Sequence, residues 1–379
     1  MPASLTPLFR CAVLALFVFA SSCAQPVKPA PAAPEIIPAQ APAAVVPVAA
    51  AAAVAPVAAL AADAVPPPSA EKLDAFIAET AKSSGMPAEQ IRNWLSQARY
   101  QQSIINAITR PAEGKPWKDY RPIFLTETRI SQGRTFYAEH RSEIEKVSKD
   151  TGVPGEIIVA IIGVETSYGR ITGSYRVLDA LYTLAFYYPR REEFFRSELA
   201  HVFALAREEN IDLATLKGSY AGAMGWGQFM PSSYRNYAKD GDGDGRRDLL
   251  GSTRDAFASI ANYFIGYGWH VGEPVFLPAN ADAGAAAFKP DDFTAKFTLA
   301  DLAARGYRPV DTFAPKLPVT LLTLEGAEGT EHWIGYHNFF VITRYNRSPM
   351  YAMAVYQLSQ EIAAGQGASP WGCALYRRF

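Results

Sequence analysis

Glu165 stands where a carboxylate could work as an acid. Eight apolar residues, Ile157 to Val164, run straight into it, and Thr166-Ser167-Tyr168-Gly169 follows. A run that is apolar on every side predicts a buried helix rather than a surface one. Pro154 suits its first turn and Gly169 suits its end. Glu165 then lies in the last turn. Desolvation and the partial negative charge of a helix C-terminus both disfavour its anion there. Both raise its pKa, which suits a general acid near neutral pH. A carboxylate in that place can equally reach solvent or pair with Arg170, so the other stretches must decide between these readings.

Two further stretches carry side chains that could do chemistry. Lys217 to Tyr234 holds four glycines within ten residues, Gly218 to Gly227, interleaved with Ser219, Tyr220, Trp226, Gln228 and Phe229. Glycines allow close approach of backbone, aromatics offer stacking faces, and Gln228 offers an amide. That mixture suits a carbohydrate cleft or a tight helix–helix turn. It does not suit phosphate, because no strand and no P-loop lysine accompany the glycines. Asp240-Gly-Asp-Gly-Asp244-Gly245-Arg246-Arg247-Asp248 matches the front half of a calcium-binding EF-hand loop. Asp240, Asp242 and Asp244 take its first, third and fifth places, and the Arg246 carbonyl takes the seventh. The twelfth place is Gly251 where a bidentate Glu belongs. Asp255, four residues on, is a replacement, and Asp248 at the ninth place is another. A solvated acidic turn is the other reading of this stretch.

The bulk composition sets bounds. The chain has 379 residues, enough for a large core, with 49% hydrophobic and 12% aromatic content. A net charge of -1 gives no electrostatic reason to expect nucleic acid or an acidic membrane as partner. Three cysteines, Cys11, Cys23 and Cys373, make neither a disulfide framework nor a cysteine zinc site. Cys11 to Ala20 is an apolar run of ten after Arg10, the length of a signal-peptide core and too short to span a bilayer. Ala20-Ser21-Ser22-Cys23 resembles a bacterial lipobox, with Ala20 where Leu is commoner. The resemblance implies a signal peptide over 1–22 and a lipid-bearing Cys23; ordinary signal cleavage with Cys23 incidental is the alternative. Ala24 is not the Asp that marks inner-membrane retention, so the outer membrane, on its periplasmic face, is the expected address. Residues 23–70 read as an Ala/Pro-rich linker, whose roughly 45 residues could reach about 140 Å from an anchor.

The elements that must position these groups occupy 71–365. Glu71 to Thr80 and Pro87 to Ala98 read as short amphipathic helices, and Ser103 to Thr109 precedes a turn at Arg110-Pro111. Trp117 to Pro122 reads as an aromatic loop. Thr126 to Thr151 reads as one long exposed helix. The Glu165 helix follows, then helices over Asp179 to Phe186 and Glu192 to Glu209, broken by Tyr187-Tyr188-Pro189-Arg190-Arg191. Asp255 to Phe264 is another helix. A β-rich insertion is expected over about 273–343, with a short helix near Leu299 to Arg305 and strands at Val319 to Leu324, Trp333 to Tyr336 and Asn338 to Thr343. Helix returns from Met350 to Ala363, and 366–379 is a tail. The fold class is therefore mainly α, an α+β chain with a small β-rich subdomain.

Four of these motifs, in this order and spacing, resemble the membrane-bound lytic murein transglycosylases of the B type, within the lysozyme-like superfamily. They are Val164-Glu165-Thr-Ser-Tyr-Gly169, Ala221 to Tyr234, the Asp/Gly loop with Ser259 to Phe264 after it, and Tyr345-Asn346-Arg347-Ser348. The resemblance implies a lysozyme-like helical core with an additional helical region. It implies cleavage of the β-1,4 bond between N-acetylmuramic acid and N-acetylglucosamine in peptidoglycan, leaving a 1,6-anhydro ring. Glu165 maps to the sole catalytic acid. Tyr120, Ser219, Gln228, Tyr263, Tyr345, Asn346 and Tyr351 map to the sugar cleft, and Arg190 and Arg191 map to where the stem peptide is met. Where the family often has Tyr, this chain has Phe194, so one hydroxyl is lost. No cofactor is implied for catalysis, and a structural calcium ion is implied for the Asp loop. Glycan strands, stem peptides, the membrane through a lipid anchor and other cell-wall enzymes are the implied partners, in the periplasm.

The cleft motifs contain one carboxylate. Glycosidases of the common kind need two, about 5–5.5 Å or 6.5–9.5 Å apart. The substrate's own 2-acetamido group can replace the second, with Glu165 acting first as acid and then as base. Ser219 or Tyr345 could orient those steps by donating to the acetamide or to Glu165. A lysozyme-type hydrolase and a non-catalytic peptidoglycan-binding scaffold are the alternatives.

Overall fold

The computed structural model describes residues 65–109, 115–311 and 316–366. Cys23, the expected leader, all but the last few linker residues, the Arg110-Pro111 turn and the tail with Cys373 lie outside the described residues. Helices α1 (Ala70–Ser84), α2 (Ala88–Gln97) and α3 (Gln102–Ile108) come first. Next come α4 (Trp117–Phe124), α5 (Glu127–Glu139), α6 (Arg141–Thr151) and α7 (Gly155–Thr166). A short strand, β1 (Tyr175–Arg176), leads into α8 (Val177–Tyr187), a 3-10 turn at Pro189–Arg191 and α9 (Glu192–Glu208). Then follow β2 (Lys217–Gly218), α10 (Pro231–Tyr237) and α11 (Thr253–Gly266). The β-rich part contains β3 (Phe276–Ala281), α12 (Leu299–Ala303), β4 (Tyr307–Pro309), β5 (Thr320–Gly326) and β6 (Gly329–Gly335). Helices α13 (His337–Tyr345) and α14 (Pro349–Ala364) close it. Among the described residues, no helix is long and apolar enough to cross a membrane.

Helix α7 is the centre of the packing. All twelve of its residues are buried, and it lies against α5, α6, α11 and α14. Six of the eight residues from Ile157 to Val164 are β-branched. Such residues cost up to ~0.7 kcal/mol each in helix propensity, whereas burying one side chain is worth roughly 1.5–3 kcal/mol. Burial decides, and the segment is helical. Pro154 is its N-cap. Its end differs from expectation: the helix stops at Thr166, and Ser167 (φ 50°), Tyr168 (φ 61°) and Gly169 (φ 78°) make a left-handed turn. Two of those three positions carry side chains at a conformation that favours glycine. Tertiary contacts hold them. Arg129 donates to Ser167 Oγ at 3.0 Å, and the Tyr168 hydroxyl donates to the Arg129 carbonyl at 3.0 Å.

Three local expectations are corrected. Trp117 to Pro122 is helix, because Trp117, Tyr120 and Phe124 fall on one buried face at helical spacing. The 126–151 stretch is two helices. It bends at His140, whose ring packs on Phe136 at 4.6 Å and on Phe257 of α11 at 5.6 Å, so α6 can reach α7 and α11. No Gly or Pro marks that bend. Asn338 to Thr343 is helix rather than strand. Glu273 accepts the His337 N–H at 2.8 Å, and the Asn338 amide bonds the His270 and Glu273 carbonyls, each at 2.8 Å. Those anchors turn the chain at the end of β6, and the apolar run then packs as a helix. The sheet therefore ends at Gly335.

The larger sheet is antiparallel, in the order β4-β3-β6-β5. Its two faces belong to different cores. Leu322, Leu324 and Trp333 face the main core, while Leu321 and Ile334 join Leu302, Tyr307, Val319 and Tyr336 in a smaller one. Coverage on both sides is why the adjacent Leu321 and Leu322 of β5 are both buried. The small pair β1–β2 matters more for the site. Tyr175 sits opposite Gly218 and Arg176 opposite Lys217, which ties the segment after Glu165 to the start of the glycine-rich loop.

Gly163 tests the packing beneath Glu165. A Cβ there would lie 2.6–2.8 Å from the Tyr168 hydroxyl and ring, and Tyr168 is itself buried and bonded. Overpacking of this kind costs about 1–3 kcal/mol, more than the ~1 kcal/mol that alanine gains over glycine in a helix. Gly163→Ala is expected to lower the thermal midpoint; an unchanged or raised midpoint would mean that the ring gives way.

Candidate active site

Glu165 is 5% exposed, at the end of a helix whose twelve residues are all buried. Burial pushes its pKa up to about 8, and a hydrogen bond from Tyr351 opposes the shift. The Tyr351 hydroxyl donates to Glu165 Oε1 at 2.6 Å. Tyr351 sits in the first turn of α14, where the Ser348 hydroxyl accepts its N–H and caps the helix. Among the described residues, no second carboxylate bears on Glu165. The chemical state that follows is a protonated carboxyl at neutral pH, held in one orientation by a phenol. Its partner is Tyr351 rather than Arg170.

Other expected residues converge on the same place. Glu165 raises the pKa of the Tyr345 phenol after burial has done so, which places the two within electrostatic reach. The Tyr345 hydroxyl donates to the Gly227 carbonyl at 2.6 Å and so pins the glycine-rich loop beside the acid. Tyr120, on α4, is buried, stacks on Trp117 at 6.2 Å and reaches Tyr351 electrostatically. Asn346 follows Tyr345 at the end of α13; it is buried, and its Oδ1 accepts the Ser348 N–H. The orienting donor to Glu165 is thus Tyr351 rather than Ser219 or Tyr345. Ser219 Oγ instead accepts the Ala221 and Ala223 N–H groups at 3.3 and 3.1 Å, shaping the loop from within.

Gln228 is held in a left-handed conformation (φ 52°). Its amide donates to the Thr172 and Gly225 carbonyls, each at 3.0 Å, while its Oε1 is buried and unpartnered in the protein. A buried acceptor without a donor is costly unless a ligand supplies one. Tyr263 lies behind the site: its hydroxyl donates to the Arg344 carbonyl at 2.6 Å, and its ring packs on Tyr345 at 4.8 Å and Phe229 at 5.8 Å. Arg190 is exposed on the 3-10 turn. Arg191 places its guanidinium 4.2 Å from the centre of the Phe194 ring and 5.1 Å from that of Phe195. Phe194 thus offers its face to the cation.

The Asp loop is a separate place. The carboxylates of Asp240, Asp242 and Asp244 are exposed and lie within 4.8 Å of one another. Asp240 gathers the N–H groups of Gly243, Asp244 and Gly245, which lowers its pKa. The Arg246 N–H bonds Asp244 at 2.8 Å, and Asp248 Oδ1 takes the Leu250 and Gly251 amides. Asp255 does not join this cluster. It is 1% exposed and accepts the Gly241 N–H at 2.9 Å and the Asp248 N–H at 2.6 Å, so it fastens the two ends of the loop together. The loop is joined to the cleft: the Tyr234 hydroxyl accepts the Leu249 N–H at 2.9 Å, and the Leu249 carbonyl accepts the Trp226 N–H at 3.1 Å.

Several positioning residues have no signal in the sequence. Arg129 reads as an ordinary surface cation, yet it clamps the turn after Glu165. Thr166 Oγ1 lies 3.0 Å from the Trp226 carbonyl and accepts the Gly169 N–H at 3.0 Å, joining the acid's helix to the glycine loop. Glu198 looks like a routine helical Glu and is almost fully buried.

Comparison with known proteins gives the family. The transglycosylase SLT domain family matches residues 68–360. Membrane-bound lytic murein transglycosylase B of Escherichia coli K12 is 42% identical over 298 residues, covering 76% of this chain and 81% of that protein. The crystal structure of soluble lytic transglycosylase SltB1 from Pseudomonas aeruginosa aligns with a TM-score of 0.73 at 47% identity, over 78% of this chain and all (100%) of that one. E. coli lytic transglycosylase Slt35, in a structure with calcium, aligns with a TM-score of 0.72 at 41% identity, over 78% and 94% of the two chains. The helical core is the lysozyme-like one of these enzymes. The chain belongs to the transglycosylase SLT domain family and is a lytic murein transglycosylase, an enzyme that cleaves the glycan strands of peptidoglycan.

Proposed function

We propose that Glu165 alone carries the proton transfers of the reaction. The observation behind this is a buried carboxyl whose pKa burial pushes up to about 8, with a phenol on it and, among the described residues, no second carboxylate bearing on it. Glu165 first gives its proton to the glycosidic oxygen, and the C1–O bond of the muramic acid breaks. The carbonyl oxygen of the 2-acetamido group bonds to C1 and carries the positive charge. The Glu165 carboxylate then takes the proton of the C6 hydroxyl, O6 attacks C1, and the acetamide leaves. The product is the 1,6-anhydro sugar, and Glu165 is again protonated. Tyr351 steadies the carboxylate between the two transfers. Tyr120, Ser219, Gln228, Tyr263, Tyr345 and Asn346 line or support the sugar cleft, with the orphaned Gln228 Oε1 suited to a substrate hydroxyl or N–H. Arg190 and Arg191 suit the carboxylates of the stem peptide.

We also infer that the Asp240, Asp242 and Asp244 carboxylates hold a calcium ion, as the structure of Slt35 with calcium suggests. Their donor set is all oxygen, which suits a hard cation. The ion would hold the loop against the cleft through Leu249 and Trp226. No cofactor is needed for the proton transfers. Cys23 and the linker support a lipid anchor at the outer membrane, with the catalytic domain in the periplasm among other cell-wall enzymes; the E. coli relative is itself named membrane-bound.

Glu165→Gln is expected to abolish release of anhydro-ended fragments, read by mass spectrometry, while sacculus binding survives; unchanged lysis would sink the acid assignment. The same variant tests the burial. A carboxyl whose folded pKa lies above its unfolded value stabilises the fold fully below the unfolded pKa and loses that contribution as pH rises through the folded value, here about 8. The melting-point advantage of Glu165→Gln over the wild type should therefore grow from pH 5 to pH 9.

Tyr351→Phe removes the bond that holds the Glu165 pKa down, so that pKa rises further. The alkaline limb of the activity profile should move to higher pH, with kcat down roughly 10- to 100-fold for a lost charge-assisted bond. An unmoved limb would detach Tyr351 from the acid. For the loop, a chelator should lower the melting temperature, and added calcium should restore it; no change would leave the loop as a turn alone.

A further inference from the structure

Glu198 has no part in the chemistry above, yet it is 3% exposed on α9 and aimed at the cleft's supports. Both its oxygens are used by one residue. Oε2 accepts the Ser232 N–H at 2.9 Å, and Oε1 accepts the Ser232 hydroxyl at 2.6 Å. Ser232 lies in the first turn of α10, four residues after Gln228 and three after Phe229, whose ring packs on Tyr345 at 5.8 Å. The charge of Arg191 also bears on Glu198, and Arg191 in turn is within electrostatic reach of Tyr188 and Arg347. Burial pushes the Glu198 pKa up to about 7, against the two Ser232 donors and Arg191. A helix joint needs no carboxylate, since an apolar pair would cost less to bury.

We propose that Glu198 is a positioning residue for substrate binding. It grips α10 through Ser232 and offsets the charge of Arg191, and so it holds the Arg191 rim and the Gln228–Phe229 floor at a fixed separation. Two separate parts of the cleft thus bear on this one side chain: α10, which follows the glycine-rich loop, through Ser232, and the 3-10 turn before α9 through the charge of Arg191. The bond-breaking groups, Glu165 and Tyr351, lie on α7 and α14 and do not touch it. Its loss should therefore loosen binding and spare the chemical step. This rests on the reading of Arg191 and Gln228 as substrate-binding groups.

The test is steady-state kinetics of the full chain on soluble glycan fragments that carry stem peptides. Glu198→Gln keeps the shape and one acceptor but removes the charge. It is expected to raise KM about five- to tenfold with kcat within about twofold, the sign of lost ground-state binding. Ser232→Ala should raise KM in the same direction, and Ser232→Thr, which keeps the hydroxyl, should restore it. Should Glu198→Gln fail to fold, the Ser232 pair decides. A fall in kcat at constant KM would overturn the proposal. So would unchanged constants in Glu198→Gln while Arg191→Ala raises KM. If Arg191→Ala and Gln228→Ala both leave KM unchanged, the reading of the cleft itself fails, a result separate from the other two.

Discussion

One hydrogen bond in a dry place organises this enzyme: the Tyr351 hydroxyl on Glu165 Oε1. A carboxylate in such surroundings is costly, so the group keeps its proton instead. Dryness is the work of α7, all of whose residues are buried, and of the helices packed around it. The phenol supplies what burial removes, a polar partner at a fixed position. Burial alone would give an acid that never lets its proton go. Exposure would give one already ionised. The pair sits between these limits, which is what the proposed role of giving and then retrieving a proton requires.

Strain gathers around that bond. Ser167 and Tyr168 just after Glu165, and Gln228 across the cleft, have positive φ without being glycine. Each such residue costs on the order of 1–2 kcal/mol. Arg129, the Gly163 gap beneath the Tyr168 ring and the Thr166–Trp226 contact hold the turn after the acid. Two carbonyls hold the Gln228 amide. The stability spent here places side chains that a relaxed chain would point elsewhere.

The supports reach outward in two directions. Toward α10 and α11, Tyr234 and Leu249 carry the glycine loop to the acidic loop, and Asp255 closes that loop at its base. Toward α9, Glu198 carries it to Arg191. The β-rich part stands apart from both. Its sheet separates a small core of its own from the main one, and it meets the helical part at α4 and α13, and at α14 through Tyr356 on Phe276.

What could be read from the chain alone was whatever depends on neighbours in sequence. The apolar run into Glu165 announces a buried helix with an acid at its end, because burial on every side leaves a continuous pattern. Glycines at 218–227 announce close backbone approach, and alternating Asp and Gly at 240–245 announce an oxygen cluster. Local rules failed where distant contacts outweighed them. The 117–124 segment became helix on a buried aromatic face, the 126–151 helix bent at His140 to reach Phe257, and the 338–343 run became helix because Glu273 and Asn338 turn the chain there. Tertiary structure alone decided that Tyr351, 186 residues away, is the donor to Glu165. It alone made Asp255 a brace, Arg129 a clamp and Glu198 a joint. The physical reason is common to all four: a side chain's role depends on the water it has lost and the partner it has found, and neither is recorded in its neighbours along the chain.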